Sequence, residues 1–60
     1  MKLYYKGGEP KLIQVEDLPD RRYFYYTKRE AIRHYRKEFG LTGRHLQEVK
    51  VNASFFGYLN

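Results

Sequence analysis

Thr27 to Phe39 reads TKREAIRHYRKEF, and this stretch contains both the start of a helix and the face it buries. Thr27 followed three residues later by Glu30 fits a capping box, in which each side chain satisfies a backbone N–H of the first turn. Thr27 is therefore the expected N-cap, and Tyr26 before it is placed to pack on Ala31 as a hydrophobic staple. Ala31, Ile32, Tyr35 and Phe39 recur at spacings of one, three and four, a stripe wide enough to lie on a sheet. Gly40 suits a left-handed residue after the last turn, with Leu41 as the apolar contact of a Schellman motif. The pattern predicts a helix over 28–39.

Strand signals lie on either side. Lys2 to Lys6 (KLYYK) is β-rich and runs into Gly7-Gly8-Glu9-Pro10, a strong turn signal. Lys11 to Glu16 (KLIQVE) alternates Ile13 and Val15 and can pair back as a hairpin. Asp17-Leu18-Pro19-Asp20 breaks it, and Arg22 to Tyr26 (RYFYY) is a third strand. After the loop Thr42-Gly43-Arg44-His45, Leu46 to Asn52 (LQEVKVN) places Val49 and Val51 inward and Glu48 and Lys50 outward. Strands are thus expected over 2–6, 11–16, 22–26 and 46–52. The tail 53–60, with Phe55, Phe56, Tyr58 and Leu59, folds back on the core or sheet edge, or is an exposed docking segment.

The order implies a single small α+β domain, a two-layer βββαβ sandwich with a mainly antiparallel sheet and the helix on one face. The last strand fits two positions, parallel to the third strand or beside the first. Counting by twos back from Tyr26, Phe24 shares its core face, and Tyr23 and Tyr25 point to the other face unless a bulge intervenes. That uncovered face would carry Lys2, Tyr4, Lys6, Leu12, Gln14, Tyr23 and Tyr25.

Composition limits what such a domain does. At 60 residues it buries only about 60% of its unfolded surface. There is no cysteine, so no disulfide or thiolate site reinforces it, and seven Tyr with four Phe supply area instead. No apolar run has the length of a membrane span and the first residues show no secretory pattern, so the chain reads as cytoplasmic. His34 and His45 lack a third ligand at metal spacing, Gly7-Gly8 precedes a strand rather than a helix, and no nucleophile stands with a base. The expectation is a non-enzyme without metal or cofactor.

Charge is the functional signal. The formal net charge is +5, and eight of the twelve basic residues lie between Arg21 and Arg44, opposed only by Glu30 and Glu38. Arg29, Arg33, Arg36 and Lys37 recur near one helical turn, and the like-charge pair Arg33–Lys37 costs a few tenths of a kcal/mol without a partner. Lys28 and Arg29 stand in the first turn, where the helix dipole disfavours cations. Such a face suits the phosphate backbone of DNA or RNA, with Arg21, Arg22 and Arg44 as further contacts. Tyr4, Tyr23 and Tyr25 would stack bases on the sheet.

Thr27-Lys28-Arg29-Glu30-Ala31 also resembles the helix start after the sheet in double-stranded RNA-binding domains and in the integrase-type DNA-binding domains related to plant AP2 modules. The resemblance covers five residues. The chain lacks the first helix of the former family and adds a fourth strand to the latter. The alternative is a protein-interaction module, a small regulator or inhibitor of the phage-like, mobile-element type. It would use Tyr and Arg hot spots or an open strand edge against an acidic protein surface or in a homodimer. The helix is basic and amphipathic, but the sheet needs its narrow stripe, so a membrane partner is not expected.

Overall fold

The computed structural model describes residues 1–56. Lys2–Lys6 forms β1, Lys11–Val15 β2, Arg21–Tyr23 β3, Lys28–Glu38 α1 and Gln47–Lys50 β4, and Ala53–Phe56 closes as a 3-10 turn. The fold is the α+β class expected from the sequence. Both helix ends obey their local signals. Glu30 N–H donates to Thr27 Oγ1 at 3.1 Å and Thr27 N–H donates to Glu30 Oε1 at 2.9 Å. At the other end Gly40 adopts φ +68°, Gly40 N–H reaches the Lys37 carbonyl, and Leu41 N–H reaches that of Arg36 at 2.7 Å. This is the Schellman arrangement, with Leu41 buried beneath it.

The cap gives a stability prediction. The backbone bond from Thr27 is the main reason the Glu30 carboxyl titrates below its ordinary 4.5. A depressed carboxylate contributes stability above its unfolded value and loses it as pH falls through the folded one. Thr27→Ala is expected to lower stability by about 1 kcal/mol at neutral pH, read from the urea midpoint. Glu30→Gln should flatten the acid limb of the same measurement.

The sheet order is β3-β2-β1-β4. β1 pairs antiparallel with β2 and β2 with β3, whereas β4 lies parallel to β1, with Leu3 opposite Glu48 and Tyr4 opposite Val49. The sheet is therefore mixed, and of the two positions open to the last strand it takes the one beside the first. Directly paired residues share a face. Leu3, Tyr5, Ile13 and Val15 point toward the helix, and the core there joins Leu3, Ile13 and Val15 to Ala31, Tyr35, Leu41 and Leu46.

Three expectations about faces are corrected by this register. β3 stops at Tyr23, and Tyr25 adopts φ +65°, which ends the two-residue alternation. Tyr23 therefore packs against the helix-side core, while Phe24 is 53% exposed instead of buried. Tyr23 and Tyr26, three apart, end up stacked on each other with centroids 5.7 Å apart. In β4, Glu48 and Lys50 take the helix-side positions and Val49 the other, the reverse of the expected parity. An edge strand tolerates this, because the rim lets Glu48 pair with Lys28 at 2.9 Å. The carboxylate raises the Lys28 ammonium in turn.

The second sheet face is not an open platform either. Tyr4 is covered by Phe55 of the 3-10 turn at 4.6 Å between centroids, and Leu12 on that face is fully buried. The part of the tail with Tyr58 and Leu59 lies outside the described residues.

Tyr35 ties the layers together. The β2–β3 ladder ends at Ile13 opposite Arg21, so the Val15 N–H beyond it has no strand to meet. The Tyr35 hydroxyl accepts that N–H at 3.1 Å and donates to the Pro19 carbonyl at 2.6 Å. A helix side chain thus continues the sheet's hydrogen bonding and fixes the β2–β3 connection. Burial pushes its phenol up from the ordinary tyrosine value, and the bond from Val15 opposes that shift.

Candidate functional site

Helical periodicity distributes the polar residues of α1 onto two flanks. Glu38 turns toward β3, where its carboxylate pairs with Arg21 at 3.0 Å, and His34 stacks on Tyr26 at 4.7 Å on the same side. The other flank is cationic. Arg29, Arg33, Arg36 and Lys37 line one groove with Ile32 and Thr42, a concavity of about 560 Å³ with no acidic side chain in its wall. Long cations of this kind lay their apolar stems along a surface and keep their charged heads in water, so the lining combines those stems with the Ile32 side chain. Among the described residues Arg29, Arg33 and Lys37 form no ion pair. Glu30 feels Arg33 only as a secondary influence on its lowered carboxyl.

Arg36 has a second task. Its Nη2 donates to the Arg44 carbonyl, which anchors the loop after the helix against the groove. Arg44 thus participates through its backbone, and its side chain is not part of the wall. Four of the seven cations singled out from the sequence therefore converge. Ile32 and Thr42 join them in the lining, Ile32 being a member of the apolar stripe that is only partly buried against the core.

Arg21 and Arg22 belong to a different place, the β3 edge. With Asp20 and Phe24 they line a cleft of about 750 Å³. Arg21 is held there by Glu38, by the Asp20 carbonyl at 3.0 Å, and by the Phe39 ring, 5.1 Å from its guanidinium. Arg22 is exposed and sits opposite Leu12 in the register. Beyond them Tyr25 is 90% exposed, its N–H bound by the Glu9 carboxylate at 2.8 Å.

The three tyrosines proposed as a stacking sheet thus do not form one. Tyr4 lies under Phe55, Tyr23 is on the helix side, and Tyr25 is in the loop after β3. The Tyr23 hydroxyl is enclosed and has no hydrogen-bond partner among the described residues. Burial pushes its phenol up to about 12, the Glu38 carboxylate adds to the rise, and Arg21 opposes it. Folding therefore favours the neutral phenol, and that stability is present below 10 and lost as pH rises toward 12. Tyr23→Phe is expected to leave the thermal midpoint unchanged or higher at neutral pH, since it removes an unsatisfied buried hydroxyl, and to flatten its alkaline decline. A lower neutral midpoint would show that the hydroxyl is satisfied in solution.

Among the described residues there is no cluster of three or more histidine, aspartate or glutamate side chains able to hold a metal, and no helix is long and apolar enough to cross a membrane. Comparison with protein-family models, with curated proteins and with solved structures finds no significant match.

Proposed function

We propose that this is a non-enzymatic nucleic-acid-binding domain that holds the phosphate backbone in the groove along α1. The observation that supports it is the convergence of Arg29, Arg33, Arg36 and Lys37 on one concave wall without a carboxylate. Like charges gathered on a helix flank repel one another, and an anionic polymer relieves that repulsion while releasing its condensed counterions. Phosphate contacts of this kind set position without reading sequence. The reading implies a cytoplasmic setting, where DNA and RNA are both available.

The test is a fluorescence-anisotropy titration against short single-stranded RNA, single-stranded DNA and duplex DNA at two salt concentrations. Micromolar or tighter binding that weakens steeply with salt supports the proposal. Binding that ignores salt, or none at low salt, ends it.

Ile32 in the groove lining favours one other reading, a regulator or inhibitor that docks on an acidic protein surface with Ile32 as apolar anchor. Ile32→Ala separates the two. It should scarcely alter binding to phosphates and should weaken a protein complex strongly.

A further inference from the structure

β4 is an edge strand, bonded to β1 on one side and to no strand on the other. Gln47 N–H donates to the Met1 carbonyl at 3.0 Å and Val51 N–H to the Tyr5 carbonyl at 2.9 Å, so alternate residues along this segment turn their backbone groups toward β1. By the same alternation the N–H and C=O groups of Glu48 and Lys50 point away from the sheet. The side chains of these two residues share the helix-side face and carry opposite charges two positions apart. Lys28 reaches Glu48 Oε1 at 2.9 Å while standing 5.1 Å from the centroid of the Tyr5 ring, so it approaches from the β1 side of the strand. Among the described residues no ion pair uses Glu48 Oε2 and none joins Lys50. The outer edge thus presents unmet backbone groups together with one available carboxylate oxygen and one available ammonium.

We infer that β4 is a dimer edge, which pairs antiparallel with β4 of a second copy of this chain about a two-fold axis at Val49. The register follows from the residues. With Val49 opposite its own copy, Glu48 of each chain stands opposite Lys50 of the other, on the same face of the joined sheet. Both residues direct their backbone groups outward, so each such pair is of the hydrogen-bonded kind and exchanges both of its N–H···O bonds. Neighbouring registers fail. Centring the pairing on Glu48 or on Lys50 sets like charges directly opposite, and centring it between residues turns outward groups onto groups already bonded to β1. The opposite edge offers no such match, because β3 paired on itself about Arg22 sets that arginine against its copy. Charge on an edge strand commonly blocks pairing, and here it rejects the neighbouring registers while admitting this one. The axis stands perpendicular to the sheet, so both helices lie on one face of a continuous sheet. With a strand of four residues on each side the interface is small, and the pairing is reversible and populated at high protein concentration.

The experiment is sedimentation equilibrium of the parent, Glu48→Lys, Lys50→Glu, an equimolar mixture of those two variants, and the double variant Glu48→Lys/Lys50→Glu. The parent's average mass should rise with concentration from that of one chain toward that of two. Each single variant sets like charges opposite in its own dimer, and its self-association should weaken about tenfold. The mixture should recover the parent's association, because the lysines of one variant then meet the glutamates of the other, and the double variant should recover it alone. All four proteins should melt within a few degrees of one another, since the Lys28–Glu48 pair is exposed and contributes little. A parent that stays a single chain at the highest concentration reached overturns the proposal. Self-association equal in the parent and both single variants assigns the contact to another surface and overturns it as well. Association lost in the single variants and not recovered on mixing would mean that the substitutions act within one chain, which also ends it. No nucleic acid enters the measurement, so its outcome is independent of the reading of the helix groove.

Discussion

Tyr35→Ala is expected to unfold the protein at ambient temperature. The side chain is fully buried among Leu3, Ile13, Val15 and Ala31, and truncating a large buried ring costs about 3–5 kcal/mol. Removing the hydroxyl also strands the buried Val15 N–H, at about 1–3 kcal/mol, whereas the Pro19 carbonyl is only part-buried. A domain of this size has about 3–5 kcal/mol of stability in total. The loss equals or exceeds the reserve, so far-UV circular dichroism should show no cooperative urea transition. Tyr35→Phe isolates the hydroxyl. It keeps the packing and should stay folded, with stability lower by about 1–3 kcal/mol. A Tyr35→Phe variant as stable as its parent would mean that water replaces the bridge from α1 to β2 at no cost, and Tyr35 would then be only a packing residue.

Reversing Arg29, Arg33 and Lys37 to glutamate together should abolish binding to phosphate polymers while leaving the fold intact. Each reversal removes two charges, so the formal net charge passes from +5 to −1. Four phosphate contacts give a salt dependence with a log–log slope of about −3.6 on duplex DNA, or about a hundredfold loss of affinity between 50 and 200 mM salt. Arg33→Glu alone should lower the magnitude of that slope by about one and weaken every sequence equally, the behaviour of a phosphate contact. The fold is a built-in control. The three positions are spaced four apart, so glutamates repel along the flank much as the cations do, and none of the three side chains is in the core. Affinity unchanged in a well-folded triple variant would remove the groove from any account of anion binding.

The candidate site was legible in the sequence where it depends on one helix. The spacing of Arg29, Arg33, Arg36 and Lys37 is a property of helical geometry, so their common flank follows from residue numbers alone. The tyrosine platform failed for the opposite reason. Its three members come from two strands and a corner, and their faces depend on where β3 stops and on a carboxylate sixteen residues away from Tyr25. Parity counted back from Tyr26 crosses a left-handed residue and loses its meaning there. The cleft between Arg22 and Phe24 is hidden from the sequence for the same cause, since alternation along the strand puts Phe24 in the core.

What the sequence determined by itself was local: the Thr27–Glu30 cap, the Gly40–Leu41 stop, the buried stripe at Ala31 and Tyr35, and the order of three strands, a helix and a strand. Each of these depends on interactions within about four residues, where hydrogen-bond geometry leaves few choices. Tertiary structure alone decided that β4 lies parallel to β1, that its valine turns away from the helix, and that Phe55 covers Tyr4. Strand pairing offers several registers whose local preferences are nearly equal, and the choice among them falls to non-local burial. Here that choice encloses Leu3, Ile13 and Val15 under one helix and puts a carboxylate at the rim, within reach of Lys28.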